Sequence, residues 1–229
     1  MTAGPNVDPA ADPHRGSTLL RAGPTAAIAR KVLILVHGRG ASADQMLGLA
    51  GALGLPDVAA FAPQAAGHSW WPTSFLAPTA TLEPWLNSAL ATIDRAVQAA
   101  LEEGFSPEQV VLLGFSQGGC LALEAAARRG APLAAIIGLS AGLAGTADAP
   151  QKPAIRGFPD KAFDYTDRLD AVPAYLSCHG NDPHIPLTRV HDTARVLEAM
   201  GAAAETRIKP GSGHGFDEAD IGAVRRLLA

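Results

Sequence analysis

Short apolar runs alternate with amphipathic stretches along almost the whole chain. Most of the runs have strand length and are rich in β-branched residues, as expected for strands buried on both faces. The runs lie at residues 19–21, 31–36, 58–61, 110–113, 133–139, 174–178 and 205–209, and the helical patterns lie at 43–53, 84–103, 118–129, 189–200 and 220–228. This alternation predicts an α/β fold with a mainly parallel, doubly wound sheet and helices on both faces.

The length and composition of the chain fit one domain. Its 229 residues are 48% hydrophobic and 17% charged, which provides enough apolar material for a substantial core. Residues 1–17 are rich in Pro, Gly, Ala and Asp, and we predict that they form a flexible N-terminal tail. Residues 18–229 are then predicted to form the single folded domain.

The charge pattern argues against nucleic acid or an anionic membrane surface as a partner. The net charge is −4, and no Lys or Arg cluster is present. We expect no membrane span, because no apolar run approaches about 18 residues, and the N-terminus lacks the apolar core of a signal peptide. Two cysteines, Cys120 and Cys178, do not make a disulfide framework, so we predict a reduced, cytoplasmic protein. A homodimer is left open as its assembly.

The stretch Gly114-Phe115-Ser116-Gln117-Gly118 joins a predicted strand directly to a predicted helix. Such a turn strains its hinge residue and lifts the hydroxyl above the sheet edge, while flanking glycines let the neighbouring elements pass close by. There the backbone N–H of Gln117 and the helix dipole can stabilise a developing oxyanion. The pattern predicts Ser116 as a nucleophile; the alternative is a tight turn in which Ser116 only caps the helix.

A serine nucleophile needs a base, and the base needs an acid that orients it. In a doubly wound sheet, both come from loops at the carboxyl ends of later strands. Asp182 follows the run at 174–178, and His214 lies among glycines after the run at 205–209. Ser116, Asp182 and His214 therefore follow one another as nucleophile, acid and base, and predict a catalytic triad.

Other histidines compete for the role of base. His179 and His184 flank Asp182, and the three could also be interpreted as a metal site. We expect no metal, because a hydrolytic metal site needs clustered ligands with a carboxylate at fixed spacing. We favour His214 because a glycine-rich loop can carry an imidazole over the sheet edge.

A second glycine motif follows the run at 31–36. Gly38, Gly40 and Ala43 match the pattern of a dinucleotide-binding loop. That site also needs an acid at the end of the next strand, and Gln64 stands there instead. We therefore prefer the other use of this loop, in which the backbone N–H of Arg39 is the second donor to the oxyanion. No organic cofactor is expected.

Residues 64–85 contain all three tryptophans of the chain in a proline-interrupted setting. We predict that the substrate contacts His68 and a pocket walled by Trp70, Trp71, Phe75 and Trp85. For any single aromatic residue, ordinary packing beneath a long loop is the alternative, and we expect two of them to line the site. A small apolar pocket predicts activity on short acyl esters.

Taken together, these stretches resemble the α/β-hydrolase superfamily, and more closely its phospholipase/carboxylesterase family, which includes the acyl-protein thioesterases. The resemblance extends from about Leu33 to Phe216 and is carried by LILVHGRGAS, FAPQAAGHSWWP, VVLLGFSQGGCLALEAA, LSCHGNDPHIPL and PGSGHGF. It implies an α/β-hydrolase fold, a Ser116–Asp182–His214 triad and an oxyanion hole from the backbones of Arg39 and Gln117.

Two departures from the thioesterase pattern bear on the substrate. Thioesterases of the group often carry an aliphatic residue where this chain has Arg39, and the loop FAPQAAGHSWWPTSFLAP is more similar to the small-molecule esterase branch. We therefore expect a serine carboxylesterase that acts on a small-molecule ester. The alternatives are a thioesterase or lysophospholipase-type hydrolase, and a non-catalytic binding module of the same fold.

Overall fold

The structure is a computed structural model that describes residues 12–130, 132–148, 153–155, 158–159 and 161–229. The strands are β1 (Leu19–Ala22), β2 (Lys31–Val36), β3 (Val58–Pro63), β4 (Val110–Phe115), β5 (Ala135–Leu139), β6 (Pro153–Ile155), β7 (Phe158–Pro159), β8 (Pro173–Asn181) and β9 (Ala203–Ser212). The helices are α1 (Ala43–Leu53), α2 (Thr79–Glu102), α3 (Gln117–Arg129), α4 (Leu187–Ala199) and α5 (Glu218–Leu228).

Seven of these strands form one sheet in the order β1-β3-β2-β4-β5-β8-β9. Only the pairing of β1 with β3 is antiparallel, and every other neighbouring pair in this sheet is parallel. Strands β6 and β7 form a separate antiparallel pair. The predicted mainly parallel sheet is therefore confirmed, with the first and last predicted strands at its two edges.

Helices cover both faces of the sheet, as predicted. Along β2, Val32, Ile34 and Val36 point into a core shared with α2, α3 and α4, whereas Leu33 and Leu35 point into a core shared with α1 and α5. Successive residues of a strand face opposite sides of the sheet. All five side chains are buried because helices cover both sides. Each strand end is thereby held between two packed layers of helices, so the loops that follow it start from a fixed position.

None of the described helices has the length and apolarity that a bilayer crossing requires.

Helix α2 begins at Thr79, one turn before the predicted start at residue 84. The extra turn is stabilised by a distant segment, since the N–H of Thr79 donates to the carbonyl of Thr146 and the N–H of Ala80 donates to Asp148. Pro84 consequently lies inside the helix rather than at its start. By contrast, α1 has the predicted bounds because Ser42 and Gln45 form a local capping box at its N-terminus.

The described part of the N-terminal segment packs against the domain. His14 is fully buried, with its N–H bonded to Ser88, its Nε2 donating to the carbonyl of Trp70 and its Nδ1 accepting from the N–H of Ala66. This differs from the flexible tail predicted for residues 1–17. The part before residue 12 lies outside the described residues. The part from residue 12 onward is held in place by the hydrogen bonds that the buried imidazole makes.

Candidate active site

Ser116 stands at the hinge between β4 and α3 with φ +54° and ψ −122°, a conformation that non-glycine residues rarely adopt. The neighbouring glycines are required by close contacts. A Cβ on Gly114 would lie 2.2 Å from the carbonyl oxygen of Gly118, and a Cβ on Gly118 would lie 2.2 Å from that of Val36. The strand-to-helix turn thus has the strained hinge that the sequence motif predicts.

The hydroxyl of Ser116 does not cap the helix that follows it. Instead it donates to Nε2 of His214 over 2.8 Å, and Nδ1 of His214 donates to Oδ2 of Asp182 over 2.8 Å. The alternative interpretation of Ser116 as a simple cap is therefore wrong. The structure brings together the three side chains that the sequence predicted as nucleophile, base and acid, from the ends of β4, β9 and β8.

Asp182 is shielded from solvent and held by its own loop. Its Oδ1 accepts from the N–H groups of His184 and Ile185, at 2.8 and 3.0 Å. Burial raises the pKa of Asp182, but the hydrogen bonds from His214, Ile185 and His184 outweigh it, so the pKa lies below its ordinary value. The carboxylate is therefore ionised at neutral pH and can stabilise an imidazolium.

The loop that carries His214 is anchored at the next residue, Gly215. The hydroxyl of Ser140 accepts from the N–H of Gly215 at 3.2 Å and donates to its carbonyl oxygen at 3.1 Å. The same carbonyl accepts from the ammonium of Lys209, which is buried and pairs with Asp220 at 2.8 Å. These contacts fix the backbone beside the imidazole; the sequence analysis did not identify them, because Ser140 and Lys209 carry no motif.

The two residues predicted to form the oxyanion hole, Arg39 and Gln117, line the same cavity as Ser116. Gln117 is the first residue of α3, where backbone N–H groups have no partner within the helix. Gly38 brings the other loop close, since a Cβ on it would lie 3.4 Å from the Cβ of Ser116. The two loops therefore meet on one side of the hydroxyl.

The dinucleotide interpretation of the loop after β2 fails, because its amides are already bonded within the protein. The N–H of Gly40 donates to the carbonyl of His68 at 2.7 Å, and the N–H of Ala43 donates to the side chain of Gln64 at 2.8 Å. His37, to which no role was assigned from the sequence, holds the loop through its side chain. It is fully buried and donates from Nδ1 to the carbonyl of Gly38, while burial lowers its pKa.

Ser116 opens into a cavity of about 550 Å³. Its lining consists of Gly38, Arg39, Ala41, Trp71, Pro72, Thr73, Ser74, Phe75, Phe115, Ser116, Gln117, Cys120, His184, Ile185 and His214. Of the five residues predicted to contact substrate, Trp71 and Phe75 lie in this lining. One continuous segment, residues 71–75, supplies five of the fifteen lining residues, and the others come from the loop after β2 and from the segments that carry Ser116, Asp182 and His214.

The other three predicted contacts lie elsewhere among the described residues. Trp70 is fully buried and donates from Nε1 to the carbonyl of His37, and Trp85 packs on the core behind it. His68 is exposed and bonds through Nδ1 to the carbonyl of Ala41. For Trp70 and Trp85 the structure supports the packing alternative, because both pack in or on the hydrophobic core and neither lines the cavity.

The remaining histidines do not assemble a metal site. Among the residues that the structure describes, no group of three or more His, Cys, Asp or Glu side chains could hold a metal ion. His184 packs edge-on against His214, with ring centroids 4.8 Å apart. His179 lies against Gly213, where an added Cβ would approach its Nε2 to 2.8 Å. Both therefore support the loop of the predicted base and do not replace it.

The chain has sequence relatives among known hydrolases. The phospholipase/carboxylesterase family model matches residues 24–229. Acyl-protein thioesterase 1 from Gibberella zeae is 29% identical over 132 residues, which are 58% of this chain and 52% of that protein. Esterase LipU from Mycobacterium tuberculosis is 33% identical over 147 residues, covering 51% and 50% of the two chains. The chain thus spans about half the length of the curated relatives it matches.

One similar solved structure covers almost the whole fold. The phospholipase/carboxylesterase from Dyadobacter fermentans superposes with a TM-score of 0.82 at 32% sequence identity, over 93% of this chain and 96% of that one. The likeness therefore extends over nearly the whole length of both chains.

Proposed function

Because the chain belongs to the phospholipase/carboxylesterase family of α/β-hydrolases, we propose that it is a serine carboxylesterase that hydrolyses small carboxylic esters. The observation that carries this proposal is the continuous line of hydrogen bonds from Ser116 through His214 to Asp182, 2.8 Å at each step. A serine hydroxyl is a weak nucleophile, and this arrangement supplies the base that activates it and the acid that orients the base.

In the first half of the reaction, Ser116 Oγ attacks the carbonyl carbon of the ester while His214 accepts the hydroxyl proton. Asp182 keeps the remaining N–H of the imidazole on Nδ1 and stabilises the imidazolium that forms. The bond to the alcohol oxygen then breaks, and His214 gives its proton to the departing alcohol. Water attacks the acyl-serine in the second half, with His214 again as base, and releases the carboxylic acid.

The negative charge of each tetrahedral intermediate would be stabilised by the backbone N–H groups of Gln117 and Arg39. Gln117 supports this role because it opens α3, where the free N–H groups and the helix dipole favour an anion. The strained conformation of Ser116 is consistent with it, since the hinge turns the hydroxyl and this helix end toward the same cavity. The chemistry requires no metal or organic cofactor, because every proton moves among the ester, water and the triad.

The buried, free thiols of Cys120 and Cys178 support a cytoplasmic location for this activity. Each thiol has its pKa raised to about 12 by burial above all, so neither competes with Ser116 as a nucleophile at neutral pH.

Replacing the nucleophile tests the proposal most directly. Ser116→Ala should lower kcat for p-nitrophenyl acetate by about 10⁴-fold or more, since the hydroxyl forms the covalent bond. A fluorophosphonate probe should label the wild-type protein at Ser116 and leave the variant unlabelled. Ser106→Ala, at an exposed serine beside a short helical turn, is the matched control and should keep both labelling and rate.

A folded Ser116→Ala protein with wild-type esterase activity would contradict the assignment. The same assay separates the alternatives that share this site. A higher kcat/KM for an acyl thioester than for the matched oxygen ester would favour the thioesterase function, in line with the relative of that name. The absence of labelling and of turnover in the wild-type protein would favour a binding module.

A further inference from the structure

The lining of the active-site cavity has an unbalanced charge. Among the described residues that line the cavity, Arg39 is the only Lys or Arg, and none is Asp or Glu. The carboxylate of the triad does not compensate for Arg39 at the cavity surface, because the Asp182 side chain is fully shielded behind His214. A substrate in this cavity therefore meets one fixed positive charge and no negative one.

The guanidinium of Arg39 is held by neutral partners. Nη1 donates to the carbonyl of Pro72 at 2.9 Å, and Nη2 donates to the carbonyl of Thr73. Within the described residues, no ion pair joins this side chain to an acid, whereas other arginines of the chain, such as Arg30 and Arg207, have carboxylate partners. Two of the five N–H groups are thus used, and the charge is left without a counter-ion.

The two carbonyl contacts also orient the guanidinium. A free arginine loses rotamer freedom when it binds a ligand, but this side chain is already restrained at the rim of the cavity. Its planar fork of donors matches the two oxygens of a carboxylate, which it can bind through two parallel hydrogen bonds.

We propose that Arg39 makes the enzyme selective for small esters that carry a free carboxylate, such as half-esters of short dicarboxylic acids. This inference rests on the proposed function and specifies its substrate class. The backbone N–H of Arg39 would stabilise the oxyanion, while its side chain would bind the carboxylate at the other end of the same substrate.

Matched pairs of substrates test this selectivity. Monomethyl succinate and monomethyl glutarate carry the carboxylate, and methyl levulinate and methyl 5-oxohexanoate replace it with a neutral methyl ketone of similar size. We expect the wild-type kcat/KM to favour the better anionic member over its neutral partner by about 10- to 100-fold, the range of a charge-assisted, two-pronged hydrogen bond. The preference should shrink as ionic strength rises.

The role of the Arg39 side chain is tested by the ratio of kcat/KM for the anionic ester to kcat/KM for its neutral partner. A general loss of rate affects both values and cancels in this ratio. Arg39→Gln, which keeps amide donors for the wall but removes the charge, should bring the ratio close to one. Arg39→Lys should retain part of the preference. Arg226→Gln removes a surface arginine that pairs with Glu205 and should leave the ratio unchanged.

Two results would overturn the inference while leaving the esterase function intact. One is a wild-type enzyme that hydrolyses the neutral esters as well as the anionic ones. The other is an anionic preference that survives in Arg39→Gln. Failure of the esterase function itself has a different signature, since no ester would then be turned over and the fluorophosphonate would not label Ser116.

Discussion

Strand ends position the three side chains of the proposed triad, whereas the wall of the cavity is held by side chains from other elements. Ser116, Asp182 and His214 follow β4, β8 and β9, and the loops of Asp182 and His214 are fixed by hydrogen bonds at the sheet edge. The segment of residues 69–75, which includes the wall residues 71–75, contains no helix or strand. Its backbone is instead tied down by the side chain of Gln117, which accepts from the N–H of Trp70 and donates to the carbonyl of Trp71.

This difference separates two kinds of function. The catalytic loops are parts of the rigid sheet edge, so changes there should act on the chemical step and hence on kcat. Side chains of the wall can be substituted without moving the sheet, so substitutions there should change the selectivity among esters. Gln117 belongs to both regions. It is the first residue of α3, next to Ser116, and its side chain forms the hydrogen bonds that fix the backbone of residues 69–75.

The sharpest test on the catalytic side is Asp182→Asn. An asparagine can still accept from the N–H groups of His184 and Ile185, so the loop should keep its shape. Its amide would donate to Nδ1 of His214 and favour the tautomer that cannot accept the proton of Ser116. We expect kcat to fall by about 10⁴-fold with KM changed little, as in other triads.

Steady-state kinetics on p-nitrophenyl acetate measure this effect, with Asp192→Asn as the control. Asp192 pairs with Arg195 on α4, away from the triad in the hydrogen-bond network, and its variant should keep the wild-type kcat. If Asp182→Asn kept more than about a tenth of the wild-type kcat, the carboxylate would not orient the base, and the catalytic loops would not act as one unit.

Two lysines that pair with fully buried carboxylates extend the comparison beyond the site. Lys209 pairs with Asp220 and donates to the carbonyl of Gly215, beside the base. Lys161 pairs with Glu124 at 2.8 Å on the opposite face of the sheet, where α3 packs. Both carboxylates are fully buried, and both have a pKa below the ordinary value because their hydrogen bonds and ion pairs outweigh the effect of burial.

Lys209→Met and Lys161→Met should therefore differ in activity more than in stability. Each removes one partner of a buried carboxylate that keeps an arginine partner, Arg207 for Asp220 and Arg128 for Glu124, so the free energy of unfolding should fall by about 1–3 kcal/mol. Only Lys209→Met also releases the loop of His214, and it should lower kcat by about 10- to 100-fold, since small misplacements of a catalytic group have effects of that size. Denaturant unfolding and kcat, measured on both variants, make the comparison.

Equal losses of kcat in the two lysine variants would contradict a specific role of Lys209 in positioning the base. If Lys209→Met does not fold, Lys209→Met with Asp220→Asn removes both charges and still lacks the contact to Gly215. That double variant should regain stability and keep the lowered kcat. A full recovery of kcat would equally exclude the positioning role.

The positions of the proposed triad could be predicted from the sequence because the signals for them are local. Apolar runs mark the strands, and the glycines around Ser116 and His214 mark the turns that follow them. The close approach of Gly118 to Val36 explains why that pattern is strict, since any side chain there would collide with backbone. Once the strand order is known, the three ends lie at one edge, and their meeting follows from the parallel sheet.

The wall was predicted less well because its contacts join residues that are far apart in the chain. His14 holds the carbonyl of Trp70 from a segment that composition alone assigned to a tail. The first turn of α2 depends on Thr146 and Asp148, and neither signals this in the sequence. Aromatic content identified the region but could not tell that Trp70 fills the core while Trp71, its neighbour, reaches the cavity.

The smallest expected effect tests the wall itself. Phe75 lines the cavity, and Trp85 lies on the same side of the sheet but packs only on the core. The wild-type enzyme should prefer p-nitrophenyl acetate to the hexanoate. Phe75→Ala should enlarge the cavity and raise the hexanoate-to-acetate ratio of kcat/KM by about 10-fold, because each methylene that an apolar pocket accommodates is worth about 1–3 kcal/mol.

Trp85→Ala is the matched control for Phe75→Ala. It removes a larger ring and should cost more stability, yet it should leave the chain-length ratio at the wild-type value, because its ring does not reach the cavity. A similar shift of the ratio in both variants would mean that selectivity depends on the packing of the whole aromatic layer. In that case the wall could not be varied independently of the core, and the separation between a rigid catalytic edge and an exchangeable wall would fail.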